Sequence, residues 1–301
     1  MIGSNYKKIK ADLLNFGRMH RASPEEYRRL YKAKSIEEVI AVVKDNFWWW
    51  ALYRDFVDVI MANREQFAEH QIWINQDVVI HEGSGCMLAS EGIFSVRCNA
   101  GSSLYVISKE HSMLSATSDK SSKLYAASYD FSTIFAESYC SSVLEARSDN
   151  FSTLVVISKD SSTINAKSHA LSTIYAESLA SSTIHAESWR GSTIHVKSYH
   201  TSTVKALSND ASTISAKSMD TSTINVISNG GSTIDVESCG SSTINATSRD
   251  TSTMIIRTPI IECKVKDKSI ARYVYENRIV VADDSIKVEK ANNTQEEFNQ
   301  N

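Results

Sequence analysis

The sequence predicts a mostly β protein. It reads as a single-chain β-solenoid with about 20 residues, two decapeptides, per coil, with an N-terminal α-helical domain and a C-terminal β cap. Three observations carry this. Serine stands at every tenth residue from Ser102 to Ser252, with an aliphatic residue or Met two places on and a second serine column from Ser108 to Ser248. Counted from the first serine, positions 1, 3, 5 and 7 are Ser, aliphatic, Ala or Val, and Ser, and they alternate with Thr and variable polar residues. That period of two marks an extended segment with one buried face. Position 10 runs Ser121, Phe131, Ser141, Phe151, Ser161, Leu171, Ser181, Gly191, so hydroxyl residues alternate with apolar residues or glycine and the true period is twenty.

The elements follow in order. Residues 1–71 read as an α-helical docking and capping domain of about three helices. Ser23-Pro24-Glu25-Glu26 and Ser35-Ile36-Glu37-Glu38 each place an N-cap serine three residues before a glutamate. Trp48, Trp49 and Trp50 are consecutive, so one or two of them are expected to pack on the next domain. Residues 72–258 are the decapeptide-repeat solenoid: QIWINQDVVIH (71–81) alternates like a strand, and weak repeat copies reach back to about residue 82. Residues 102–251 give 150/20, about seven and a half turns. Twenty-residue stacking sets Lys167 on Glu187 and Glu177 on Lys197, both favourable, and Arg147 over Lys167, which is not. With ten Gly in the whole chain, glycine turns cannot shape the corners. Residues 259–288 read as a β cap and 289–301 as a disordered tail.

Composition excludes several function classes. A net charge of −3 argues against a general polyanion binder. Five Cys with no CxxC point to thiols in a reducing compartment. The N-terminus MIGSNYKKIKADLL has no apolar signal core and no membrane-spanning run follows, so a cytoplasmic location is expected and no membrane partner.

Residues 182–201, STIHAESWRGSTIHVKSYHT, resemble the Ser-Thr-Val/Ile decapeptide-repeat proteins of gut Bacteroidales and their phages. The resemblance covers about 102–258, implies a bacterial or phage setting and brings no catalytic residues. The repeat also resembles pentapeptide-repeat proteins at a distance, but position 8 (Trp, Tyr, Asn, Asp, Lys, Arg) departs from their inward pattern.

The residues offer little site chemistry. His185 and His195 both occupy outward position 4, and two decads per coil set them on different faces, unlike a zinc site with three or four convergent ligands. Regular repeats without insertions leave no cleft for paired carboxylates, and no GxGxxG or Walker-type loop occurs. No catalytic, cofactor-binding or metal site is therefore assigned. Outward Thr columns resemble ice-binding arrays, but the second column is missing at position 4. Lys7, Lys8, Lys10, Arg18, Arg21, Arg28, Arg29, Lys32 and Lys34 make the N-terminus basic, yet solvated helix faces look the same, and nucleic acid is not favoured. The exposed variable positions carry Tyr125, Phe135, Tyr175, Trp189 and Tyr199, which are the candidate partner-binding residues. The expectation is a non-enzymatic binding or scaffold protein, monomeric, with a protein partner ahead of a glycan. The first alternative is a phage fibre or virion component; the second is an enzyme with its site in a terminal domain.

Overall fold

The protein, seen in a computed structural model, is described here over residues 5–239 and 243–257, and over the backbone of four further strands within 261–288. The tail 289–301 lies outside the described residues. The chain is a β-solenoid of about nine turns with parallel sheets, about 20 residues per coil and N-terminal helices.

Six helical segments precede the first coil, where about three were expected. They are α1 (Asn5–Met19), α2 (Pro24–Lys32), α3 (Ile36–Asp45), α4 (Phe47–Trp50), α5 (Arg54–Ala62) and α6 (Arg64–Glu69). Both expected caps form: Ser23 Oγ accepts from the Glu26 N–H at 3.2 Å, and Ser35 Oγ from the Glu38 N–H at 3.3 Å. The extra breaks fall at Asn46 and Asn63. Each side-chain amide donates to a carbonyl four residues back, Val42 O at 3.4 Å and Val59 O at 2.9 Å, and so ends its helix.

QIWINQDVVIH forms two strands, β1 (Ile72–Ile74) and β2 (Val78–Ile80), where one was expected. Asn75 turns the chain between them with φ +47°, and its amide is held by Ser90, whose N–H donates to Asn75 Oδ1 at 2.8 Å. Each short strand begins one of the two sheets, so stacking already starts at 72, ahead of the first weak repeat copies at about 82. This is why the turns exceed the seven and a half counted over 102–251. β3 (Ser84–Ala89) and β4 (Ile93–Cys98) follow. From β5 (Ser103–Ser108) a six-residue strand recurs every ten residues through β19 (Thr243–Ser248), and β20 is Thr253–Arg257. Through β22, odd strands pair with odd and even with even. The offset between stacked partners is 14 residues at Ile72–Cys86, 18 at Val78–Val96, 19 at Ser84–Ser103 and 20 from Ile93–Met113 to Thr233–Thr253, and it falls to 17 at Ile244–Ile261 and Thr253–Ile270. At the C-terminal end β21 (Ile261–Val265) and β22 (Ile270–Tyr273) still stack in parallel. β23 (Arg278–Val281) then pairs antiparallel with β22, and β24 (Ile286–Val288) antiparallel with β21. Parallel stacking thus gives way to antiparallel pairs at the sheet ends, which a coil repeat alone cannot do.

By contacts the chain divides into two compact units, one running through Val156 with Ser162–Asn165, the other Ile157–Ser161 with the chain from Ala166. In the first, the helices and the first coils share a single buried cluster. Phe16, Val39, Val43, Trp50, Phe56 and Phe67 join Ile72, Ile74, Cys86, Leu88 and Ile107 in it. Lys109 fixes the joint. Its ammonium is largely buried and donates to Ala51 O and Leu52 O at 2.8 Å each, capping the end of α4. Lys44 reaches across in the same way to Ser84 O at 2.9 Å.

The coil interior is built alike in both units. Position 3 is an aliphatic column, from Leu104 to Ile234 without solvent contact, and position 5 supplies Ala or Val beside it. Positions 7 and 1 supply buried serines on either side of each corner. Their hydroxyls meet at 2.7 Å in Ser118–Ser122 and at 2.8 Å in Ser148–Ser152. The position 1 hydroxyl also donates to a carbonyl of the coil before, as Ser132 does to Ser108 O at 2.8 Å. Serine fits because the site is both tight and polar.

The corners are tight turns made mostly without glycine. At many corners positions 9 and 10 are left-handed in succession, as in Asp130 (φ +53°) and Phe131 (φ +65°), and the next serine N–H returns to the position 8 carbonyl, Ser132 N to Tyr129 O at 3.2 Å. This is the type I′ pattern. Asp and Asn, which tolerate the left-handed region, fill position 9 at 130, 150, 160, 210, 220 and 250. A ladder through the turns offsets the remaining strain: the position 10 N–H donates to the position 9 carbonyl of the coil above, Phe131 N to Asn150 O at 3.2 Å and Gly191 N to Asp210 O at 3.1 Å. Glycine at position 10 next to a large neighbour in the same column has a steric reason as well. A Cβ on Gly191 would lie 2.8 Å from Leu171 Cδ2, one coil away.

Candidate binding surfaces

What remains for function is the outward set, positions 2, 4, 6 and 8. Twenty-residue register turns each into a column of like-placed side chains, and neighbours in a column touch. Lys167 meets Glu187 at 3.1 Å, the pairing the sequence implied. Glu177 faces Lys197 in register. Arg147 turns to Asp149 at 2.6 Å. Lys217–Glu237 at 2.9 Å and the two-pronged Arg257–Asp235 contact, at 2.9 and 2.7 Å, continue the pattern on the even sheet. Amides form ladders too, with Asn245 donating to Asn225 at 2.9 Å.

The five candidate aromatics sit on two sheets and two kinds of corner. Tyr125 is on the odd sheet, stacked on Tyr105 with ring centroids 4.3 Å apart and planes 4° from parallel. Burial there raises the Tyr105 phenol above its ordinary pKa, with the Tyr125 charge adding to the rise. Phe135 and Tyr175 are on the even sheet. Phe135 is 43% exposed and stands beside Ser115, a small neighbour that leaves its face open. Tyr175 is 46% exposed and stacks on His195 at 4.9 Å. Burial holds the His195 imidazole below the ordinary histidine range, so it meets the phenol ring as a neutral partner. Trp189 lies at the corner after an odd strand, stacked on His169 at 5.9 Å, and Tyr199 at the corner after an even strand. Both are half-buried. Within the second unit, then, Tyr175, Trp189 and Tyr199 occupy a sheet face and two different corners, and no single patch gathers them. One aromatic ladder was missed by sequence reasoning: Phe131 stacks on Phe151 at 5.3 Å and on His111 at 5.5 Å. Its signal was the position 10 alternation, which was read only for its period.

His185 and His195 fall on different sheets, as the two-decad coil required. Among the described residues no group of three or more His, Cys, Asp or Glu is placed to hold a metal ion. Cys86 is buried, and burial pushes its thiol up to about 12, so it is a packing residue at neutral pH. Cys98 takes the place of a position 7 serine, with Sγ 3.1 Å from Ser102 Oγ. Among the described residues no helix is long and apolar enough to cross a membrane. Of the tryptophan run, Trp50 is buried in the shared cluster, Trp49 packs against it and Trp48 stays 61% exposed.

No protein-family model, no curated protein and no solved structure matches this chain.

Proposed function

We propose that the chain is a non-catalytic binding or scaffold protein of bacterial or phage origin, acting in the cytoplasm. In this reading its solenoid wall meets a macromolecular partner, a protein ahead of a glycan. The observation that supports this is a contrast within each coil. Inward positions 1, 3, 5 and 7 are nearly uniform, while outward positions 4, 6 and 8 vary and stand in register every twenty residues. A lattice that fixes its interior and frees its exterior is suited to display, and exposed aromatics such as Phe135 and Tyr175 are side chains that recognition surfaces favour.

Two measurements test the reading. Light scattering behind a sizing column is expected to give a mass near 33.5 kDa. A tight trimer would replace the binding-module reading with a fibre or virion part. A partner captured by the full chain from a bacterial extract should be lost on combined Tyr175→Ala, Trp189→Ala and Tyr199→Ala; unchanged capture removes these residues from the contact face.

A further inference from the structure

The helical part carries a site that the solenoid reading leaves unused. The end of α1, the start of α2 and the Asn46–Trp50 turn enclose a cavity of about 350 Å³, walled by Tyr27, Leu30, Trp48, Trp49 and Trp50. An open hollow of about 610 Å³ continues from it along Tyr27, rimmed by Arg18, Arg21, Arg28 and Tyr31. Gly17, Arg21, Ala22 and Tyr27 belong to both, so the two are contiguous.

Three features of this surface ask for an occupant. Trp48 and Tyr31 are 61% and 67% exposed, large rings that gain from being covered. The indole N–H of Trp50, a wall residue, has no acceptor. The rim arginines have no carboxylate partner among the described residues; Arg18 donates only to the neutral Asn15 amide oxygen at 3.0 Å. By contrast Arg29, which lines neither space, is paired with Glu26 at 2.9 Å and with Asp45 at 2.6 Å. That pairing also spends the charge of Glu26, a carboxylate lining the cavity. A largely apolar pocket with room for an aromatic side chain therefore opens onto three guanidinium groups without carboxylate partners among the described residues.

We propose that this cavity and its arginine rim form one recognition site for an acidic peptide segment carrying an aromatic side chain. The ring enters between Tyr27 and the tryptophans, and flanking carboxylates take the forks of Arg18, Arg21 and Arg28. Nucleic acid fits less well. Inside the cavity Trp49 and Trp50 lock edge to face at 5.0 Å and 80°, which leaves no flat platform between them for a stacked base. The nearby Lys10, a natural phosphate contact, is spent on Tyr31 O and Ala33 O at 2.7 Å each. The inference deepens the binding-module reading by giving the helical part its own partner chemistry, and it rests on that reading only in this respect.

The test is selection of a random displayed peptide library on the full chain. Enriched peptides are expected to share an aromatic residue flanked by Asp or Glu. Their affinity should fall about tenfold or more with Trp48→Ala, and similarly with Arg21→Glu combined with Arg28→Glu. Binding should weaken as salt rises. All three residues are exposed, so the variants should keep the wild-type circular dichroism spectrum. The proposal is overturned by no enrichment, by enriched peptides lacking the aromatic–acidic pattern, or by equal affinity for the variants. It is also overturned if a single-stranded oligonucleotide binds and the same variants abolish that binding, which would assign the site to nucleic acid. The Tyr175, Trp189 and Tyr199 triple alanine variant separates the two readings, because it should retain peptide binding even if the solenoid wall proves inert.

Discussion

Ser132 shows what one small side chain does in this fold. Its Oγ lies 2.8 Å from that of Ser128 across the corner, and it donates to Ser108 O, 2.8 Å away in the coil before. It also accepts the Tyr129 N–H at 3.0 Å, holding the turn from inside. Ser132→Ala would remove these side-chain bonds, while the Tyr129 N–H keeps Ser108 O at 2.9 Å and the Ser128 hydroxyl keeps the Ser132 carbonyl at 2.9 Å, so the change should cost about 0.5–1.5 kcal/mol. Ser128→Ala removes a donor and should cost less. The two changes together should cost less than their sum, by about 0.5 kcal/mol or more, because the second removes a partner already lost. Denaturant titration of the two single variants and the double one measures this, and strict additivity would show that the pair does not act as a unit. The serine columns themselves were legible in the sequence, since a spacing of ten is visible at once. Their partners were not: spacing alone does not say that a hydroxyl reaches both across its corner and back one coil.

At the scale of elements, the repeat strands were legible and the helical segments only partly so. Fifteen near-identical decads average out local noise, whereas the helical region offers each signal once. Asn46 and Asn63 end helices through their own side-chain amides, a role that the residue type alone does not mark in the sequence. The joint between helices and coils was not legible at all. Lys109 occupies an ordinary position 8, and nothing in the repeat marks it as the cap of α4. Lys109→Met should therefore destabilise the protein by about 1–3 kcal/mol, by leaving two carbonyls without their donor. Burial holds the Lys109 ammonium below its ordinary pKa of 10.5. Below the folded pKa both states are protonated and the burial cost is present in full. As pH climbs from the folded pKa to 10.5, the folded amine neutralises first and the cost is relieved. Wild type should thus gain on Lys109→Met across that alkaline window in paired melts; a constant difference would mean that the ammonium is not desolvated.

For the whole molecule the unit of change is twenty residues, because each strand stacks on the next-but-one. Deleting 203–222 removes one full coil and brings Lys197 into register with Glu237, replacing the Lys217–Glu237 pair seen at 2.9 Å. The shortened chain should unfold in one cooperative transition, with a denaturant slope reduced roughly by one coil's share of the buried surface. Loss of parallel sheet by circular dichroism would show that the coils are not interchangeable.

The unequal offsets at the start of the coil, 14, 18 and 19 residues before the long run of 20, have a kinetic consequence. Among identical layers, a nascent strand can dock one layer too early or too late at little energetic penalty, and such slipped isomers are slow to correct. The irregular opening coils, held together by the Ser90–Asn75 bond, offer a register that the regular repeats do not share. They act as a primer: a chain emerging from the ribosome finds a finished template first and is wound onto it in order. A circular permutant that delivers the regular repeats before this primer should refold to a mixture of slipped isomers, visible as several species in native ion-mobility spectra, where the natural order gives one.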